Sequence, residues 1–279
     1  APLILGMHFV LDLNSITAGA WDTVFRWRFT HLAMAEALVA SLAFFFWISL
    51  FFAFNEVPAL KRFRFVARSS LSRDEEAKRP DWNFRPRVAA SLPVYLAGIW
   101  ALHTVKSPTL LSAAAPSAIR LVMEVLLGIF AYDFFMYWVH LGMHRCPHRL
   151  HSHDVHHQLK VQPGSGIRYL AAELVVNHAM ADGMLQVGVN ILVQNLPLFG
   201  GLPKHKLSRF VHNIVVTYLL VEAHSGLDMP WGTHRVFPGL LGGAYRHEIH
   251  HHRRDCCFHQ FFCYLDDFLG HGPPKEYAD

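Results

Sequence analysis

The chain has 279 residues, of which 52% are apolar and 16% charged, with 25 basic against 21 acidic side chains, a formal net charge of +4 and a mean hydropathy of +0.22. That balance excludes a disordered chain and a nucleic-acid-binding protein, and four cysteines without a C-x-x-C pair exclude a disulfide-stapled secreted scaffold. With 21 histidines and 22 phenylalanines, the composition points to a membrane protein that carries a metal.

The first long apolar run, residues 32–54, holds one charge, Glu36, and ends in a Phe/Trp-rich stretch before Pro58. It is long enough to cross roughly 30 Å of hydrocarbon and too long for a signal-peptide core, so it is predicted as the first span. Residues 88–105 contain no Lys, Arg, Asp or Glu, and residues 119–139 are apolar apart from Arg120, Glu124 and Asp133. The short Ser/Ala/Pro-rich connection between them predicts a hairpin of spans. A second apolar pair follows at 170–199 and 210–221, interrupted by Glu173, His178, Asp182, His212 and Asn213. It either crosses as a hairpin or dips in and returns. The expected fold class is all-α: an integral membrane helical bundle of about four spans, one membrane-embedded domain over 1–279, with a histidine-rich cap formed by 140–157 and 224–271.

Orientation follows from the loops, because Lys and Arg are retained on the cytoplasmic side. The connection 61–87 carries Lys61, Arg62, Arg64, Arg68, Arg73, Lys78, Arg79, Arg85 and Arg87, whereas the next loop carries only Lys106. With the first loop cytoplasmic, a hairpin returns the chain to that side just before His140. The second apolar pair leaves the segment after Glu222 on the same side. Both histidine-rich regions are therefore predicted to share the cytoplasmic face.

His140 and His144 are four apart, so on a helix both imidazoles lie on one face. The pentad HDVHH places His153, His156 and His157 at i, i+3 and i+4, and HEIHH repeats that pattern at His247, His250 and His251. A pH-responsive surface would gain nothing from such spacing, since protonated imidazoles on one face repel each other. Metal coordination explains it directly, neutral imidazole being a ligand for zinc, copper, iron and nickel. Eight boxed histidines exceed one tetrahedral site, so two metals are implied. Asp154 and Glu248 are placed either to accept the other N–H of a neighbouring imidazole or to stand as solvated charges. The glycine-rich GLLGG at 239–243 lacks the strand-turn-helix context of a nucleotide loop.

The order H-x3-H, H-x2-H-H, H-S-G and a final H-x2-H-H resembles the fatty acid hydroxylase/sterol desaturase superfamily of integral membrane di-iron enzymes, and within it the sterol side-chain hydroxylases. The resemblance runs through WDTVFRW at Trp21, VPALKRF at Val57, the D-F-F-x-x-W-x-H approach to His140, HDVHHQ at His153 and VEAHSGLDMPWGTHRVFP from Val221 to Pro238. It implies iron ligands at His140, His144, His153, His156, His157, His224, His247, His250 and His251, with His234 as a further candidate and a role for Glu173 inside an apolar segment. It implies two iron ions, which zinc can replace in purified protein, with dioxygen as co-substrate. The implied reaction is hydroxylation of a lipid C–H bond on a sterol side chain. Cytochrome b5 or an NADPH-dependent reductase would be the electron donor, and the endoplasmic reticulum the location. A sterol C4-methyl oxidase, a sterol C5-desaturase and a fatty-acyl hydroxylase share the boxes and remain alternatives. Outside the enzyme class stand a zinc- or lipid-binding membrane protein and a metal transporter. The chain departs from the pattern after the last box, where RRDCCFHQFFCYLDDFLGH puts Cys256 and Cys257 in place of a polar turn, Leu265 in place of a tryptophan and His271 in place of a threonine, while Asp266 and Gly270 are kept.

Overall fold

A computed structural model of the chain describes residues 2–65, 97, 100–101, 112–145, 153–161, 168–197 and 200–277. The first element, helix α1 (Pro2–Arg26), has no counterpart among the predicted elements. It is tied to the bundle by Trp21, fully buried, whose indole N–H donates to the Ser112 carbonyl at 3.1 Å, and by Asn14, whose Oδ1 accepts the Ala118 N–H at 2.7 Å. Helix α2 (Ala35–Glu56) realises the predicted first span, and among the described residues it is the one helix long and apolar enough to cross a membrane by length and composition. It stops at Val57, which is extended (φ −70°, ψ 118°), because the proline that follows disfavours helical backbone in the residue before it. Most of the predicted span 88–105 and most of the basic connection 61–87 lie outside the described residues.

Helix α3 (Ala118–Arg145) is a single element carrying the third predicted apolar run and, in its last turns, His140 and His144. Its exposed apolar residues Ile119, Val122, Leu126, Phe130, Phe134 and Trp138 recur every three or four positions, forming one stripe that rises roughly 28 Å along the helix. Glu124, Asp133 and His140 of the same helix are buried.

The 170–199 segment is not one long apolar helix. Lys160–Val161 pairs antiparallel with Arg168–Tyr169, a 3-10 turn covers Ala172–Val176, and only then does helix α4 (Met180–Asn195) begin. The physical reason is the buried polar groups in its first half. Glu173 forms an ion pair with Lys160, and the Asn177 amide donates to the Val155 carbonyl at 2.7 Å, so this stretch turns back onto the second histidine box. Helix α5 (Lys206–Ala223) starts earlier than predicted, its first turn capped by the His205 ring accepting the Leu207 N–H at 3.1 Å. It is the central element, packing against α2, α3 and the later helix α7. The buried Arg209–Glu36 pair at 2.6 Å joins it to α2. Short helices α6 (Thr233–Val236), α7 (Gly243–Arg253) and α8 (Tyr264–Leu269) close the chain. Val125, Ile129, Tyr132 and Met136 of α3 meet Val193, Val216 and Phe261 in the main core directly beneath the histidines.

Candidate metal centre

Four elements deliver nine histidines to one place. The last turns of α3 bring His140 and His144, the segment opened by the 3-10 turn His153–Val155 brings His153, His156 and His157, the C-terminal end of α5 brings His224, and α7 brings His247, His250 and His251. They sort into two groups. His140, His144, His153, His157 and His250 form one, and His156, His224, His247 and His251 form the other, with donor nitrogens inside each group within 4.8 Å of one another. The pentads are therefore divided between the groups: His156 separates from His153 and His157, and His250 from His247 and His251. The expectation that each pentad presents one helical face is corrected at the second box, where a 3-10 turn and a following turn let neighbouring rings point to different groups.

The geometry suits cations. Facing Nε2 atoms are 3.3 Å apart between His140 and His144, 3.2 Å between His144 and His157, 3.0 Å between His156 and His224, 2.9 Å between His224 and His247, and 3.1 Å between His247 and His251. Imidazoles bound at about 2.1 Å to one ion stand roughly 3.0–3.4 Å apart. The tautomers agree. Nδ1 of His140 donates to the Phe258 carbonyl at 2.8 Å, Nδ1 of His250 to the Cys256 carbonyl at 2.7 Å, Nδ1 of His224 to the Leu220 carbonyl at 2.7 Å, and Nδ1 of His153 to the Asp182 carboxylate at 2.8 Å. Acceptors of this kind fix the hydrogen on Nδ1 and leave the Nε2 lone pair aimed inward. The Nε2 atoms of His153 and His250 are buried with no hydrogen-bond partner. Converging lone pairs repel unless a cation lies between them, so the residues present fit two metal ions.

Burial also holds the rings in their ligand form. It pushes His140 down to about 3 and His224 down to about 4, and drives His156, His157, His247, His250 and His251 well below the ordinary imidazole range, neighbouring histidines adding to the effect. His144, at the edge of its group, is held down to about 2 by burial and by His140.

The divergent segment after the last box supplies part of this scaffold. Arg254 and Cys257 take left-handed backbone (φ 68° and 56°), and the loop they shape turns the Cys256 and Phe258 carbonyls onto His250 and His140. Two buried carboxylates hold the loop. Asp266 accepts the N–H groups of Phe258 (2.9 Å) and His259 (3.0 Å), and Asp133, from α3, accepts those of Gln260 (3.1 Å), Phe261 (2.6 Å) and Phe262 (3.3 Å).

Other candidates fall elsewhere. His234 lies outside both groups, with Nε2 2.9 Å from Asp228 and Nδ1 4.0 Å from Glu222. Asp154 is exposed and faces Arg254 at 3.6 Å, and Glu248 faces His252 at 3.1 Å, so neither carboxylate orients a clustered imidazole. Glu173 is answered by Lys160. The carboxylate that does orient one is Asp182, which the sequence showed only as a charge interrupting an apolar run; its spacing from His153 carries no local signal. A narrow cavity beside the histidines has apolar walls from Met136, Met143, Val175 and Leu220 and polar ones from Asp182, Gln186 and Gln260.

The profile of the fatty acid hydroxylase family matches residues 125–271, more than half of the chain and the whole of the histidine centre just described. Cholesterol 25-hydroxylase of Mus musculus is 31% identical over 200 residues, 67% of this chain and 63% of that protein, and the Homo sapiens enzyme of the same name is 30% identical over 216 residues, 77% and 73%. A Dictyostelium discoideum protein provisionally named a methylsterol monooxygenase is 29% identical over 160 residues, 57% and 53%. The aligned region thus spans less than two thirds of the mouse relative. No solved structure matches the chain significantly.

Proposed function

The chain belongs to the fatty acid hydroxylase family, and from that membership we propose that it is a membrane di-iron monooxygenase that hydroxylates a lipid C–H bond, as a cholesterol 25-hydroxylase-like enzyme acting on a sterol side chain. The observation that carries the reading is the pair of adjacent, buried, all-imidazole groups with inward lone pairs. His140, His144, His153, His157 and His250 hold one ion, and His156, His224, His247 and His251 the other. Two bound irons supply what no side chain offers, an oxidant able to take hydrogen from an unactivated carbon with dioxygen as the source. The overall balance is one oxygen atom into the C–H bond and one into water, with two electrons and two protons consumed. The protein's residues do the remaining work. Met136, Met143, Val175 and Leu220 give the narrow cavity beside the histidines its apolar side, and the loop carbonyls and Asp182 keep the imidazoles aimed. Cytochrome b5 or an NADPH-dependent reductase brings the electrons to the cytoplasmic face of the endoplasmic reticulum membrane.

The methylsterol monooxygenase relative supports a C4-methyl oxidase as the second reading. Iron and zinc content of the purified chain, together with products from sterol-fed membranes, tests the proposal. A side-chain hydroxysterol made in an oxygen-dependent way is the expected result; a C4-oxidised, desaturated or fatty-acyl product overturns the sterol side-chain assignment. His156→Ala and His250→Ala should each abolish turnover with the protein still membrane-bound, and retained oxygen-dependent activity in both would sink the di-iron assignment.

A further inference from the structure

Resting on the metal assignment above, we infer that Asp182 and Gln186, one turn apart on α4, are a positioning pair that fixes His153 as a ligand of the five-imidazole site. His153 is the ring whose orienting acceptor is a carboxylate, whereas backbone carbonyls serve His140, His250 and His224. Asp182 Oδ2 accepts from His153 Nδ1 at 2.8 Å, and its other oxygen accepts from the Gln186 amide at 3.2 Å. Both carboxylate oxygens are thus committed, so the carboxylate cannot rotate without losing a bond. Asp182 is 1% exposed and lies in the first turn of α4, where the helix dipole favours a negative charge. The need for the device follows from the fold. His153 sits in a single 3-10 turn, His153–Val155, rather than in a regular helix like those that carry His140, His144 and His250. Its Nε2 is buried with no hydrogen-bond partner, so a ring flip that turned Nδ1 inward would have to break the Asp182 bond first. Asp182 also strengthens the ring as a donor, since a carboxylate on the far N–H raises imidazole basicity. Both side chains also line the cavity beside the histidines.

The test measures metal per chain and the rate of metal release to a chelator in the purified, cobalt-loaded full chain, with cobalt absorption reporting coordination. Wild type should hold two ions. Asp182→Ala should release one ion 10–100-fold faster, the size of effect that removal of such an orienting partner produces. That ion should be the one lost in His153→Ala, and the ion lost in His247→Ala should stay. Asp182→Asn retains an oxygen acceptor without the charge and should fall between wild type and Asp182→Ala. Gln186→Leu leaves the carboxylate free to turn and should speed release of the same ion a few-fold. Two ions held as firmly in Asp182→Ala as in wild type would overturn the inference. So would equal loosening of both ions with a matching fall in the thermal midpoint of the metal-free chain, the signature of general structural damage. A wild-type chain that binds no cobalt, zinc or iron would overturn the metal assignment itself and this inference with it.

Discussion

At the scale of single residues, the chemistry rests on where nitrogen lone pairs point. The division of each pentad between two groups makes a sharp expectation. His247→Ala and His251→Ala should resemble His156→Ala, each losing about one of two ions, whereas His250→Ala should resemble His140→Ala and lose the other. Metal titration of the single and combined variants checks this: His247→Ala with His251→Ala should lose one ion and His247→Ala with His250→Ala both, and the reverse pattern would contradict the geometry. A pH dependence follows from the same burial. His140 and His224 have folded-state values of about 3 and about 4 against an unfolded value of about 6.5. Below pH 6.5 the unfolded chain therefore binds more protons, so their contribution to stability is complete above that pH and is lost as pH falls toward the folded values. The metal-free chain in detergent should melt at progressively lower temperature between pH 7.5 and pH 5, with up to about 1.4 kcal/mol lost per pH unit for each such ring. A flat profile would mean that the rings are open to solvent. The spacing of the histidines was legible at this scale; the assignment of each to an ion was not, because in the second box it depends on a 3-10 turn whose side chains do not follow helical periodicity and on α7 it depends on which group the packed helix turns each ring toward.

At the scale of elements, the metal site is built by segments that satisfy each other's backbone. Asp133 sits in the apolar run of α3, where the sequence gives no sign of its partners. Its Oδ1 accepts three successive N–H groups from the loop after the last box. Asp133→Ala should destabilise the fold by roughly 2–5 kcal/mol, since several buried donors lose their acceptor at once. Thermal unfolding in detergent measures it, together with faster metal release as the Phe258 carbonyl loosens from His140. The glycine of the HSG motif has an equally local cause. Gly226 has φ 65°, and a Cβ there would lie 2.0 Å from the Leu170 carbonyl oxygen. Gly226→Ala should therefore cost more than the 1–2 kcal/mol of left-handed backbone alone and should displace the neighbouring His224. An unchanged melting temperature and metal content would refute that reading. The motif marked His224 in the sequence, but only the packing explains why its glycine is required.

For the whole molecule, the arrangement of apolar surface gives the histidine centre its setting. The exposed stripe of α3 rises roughly the thickness of a bilayer core while its carboxylates turn inward, and α2 carries no charge between Glu36 and Glu56. The expressed chain should remain in the membrane pellet after alkaline extraction, and Leu126→Arg with Phe130→Arg should weaken that retention, since a charge on a lipid-facing helix costs about 2.5–3.5 kcal/mol at the bilayer centre. Release of the wild-type chain into the supernatant would contradict an embedded bundle. By itself, the sequence determined the apolar helices α2 and α3, the basic first loop and the eight boxed histidines, because these are signals of composition and short-range spacing, while His224 came from the family resemblance. What it left open, only the tertiary structure decided: which four and which five imidazoles face one another, that Asp182 rather than Asp154 or Glu248 orients a ligand, that His234 belongs to a carboxylate pair, and that the apolar run beginning at residue 170 turns back before forming a helix. Those outcomes depend on buried polar groups finding partners far along the chain, such as Asp133 with Phe261 and Glu36 with Arg209, and no local pattern records a contact between residues so widely separated.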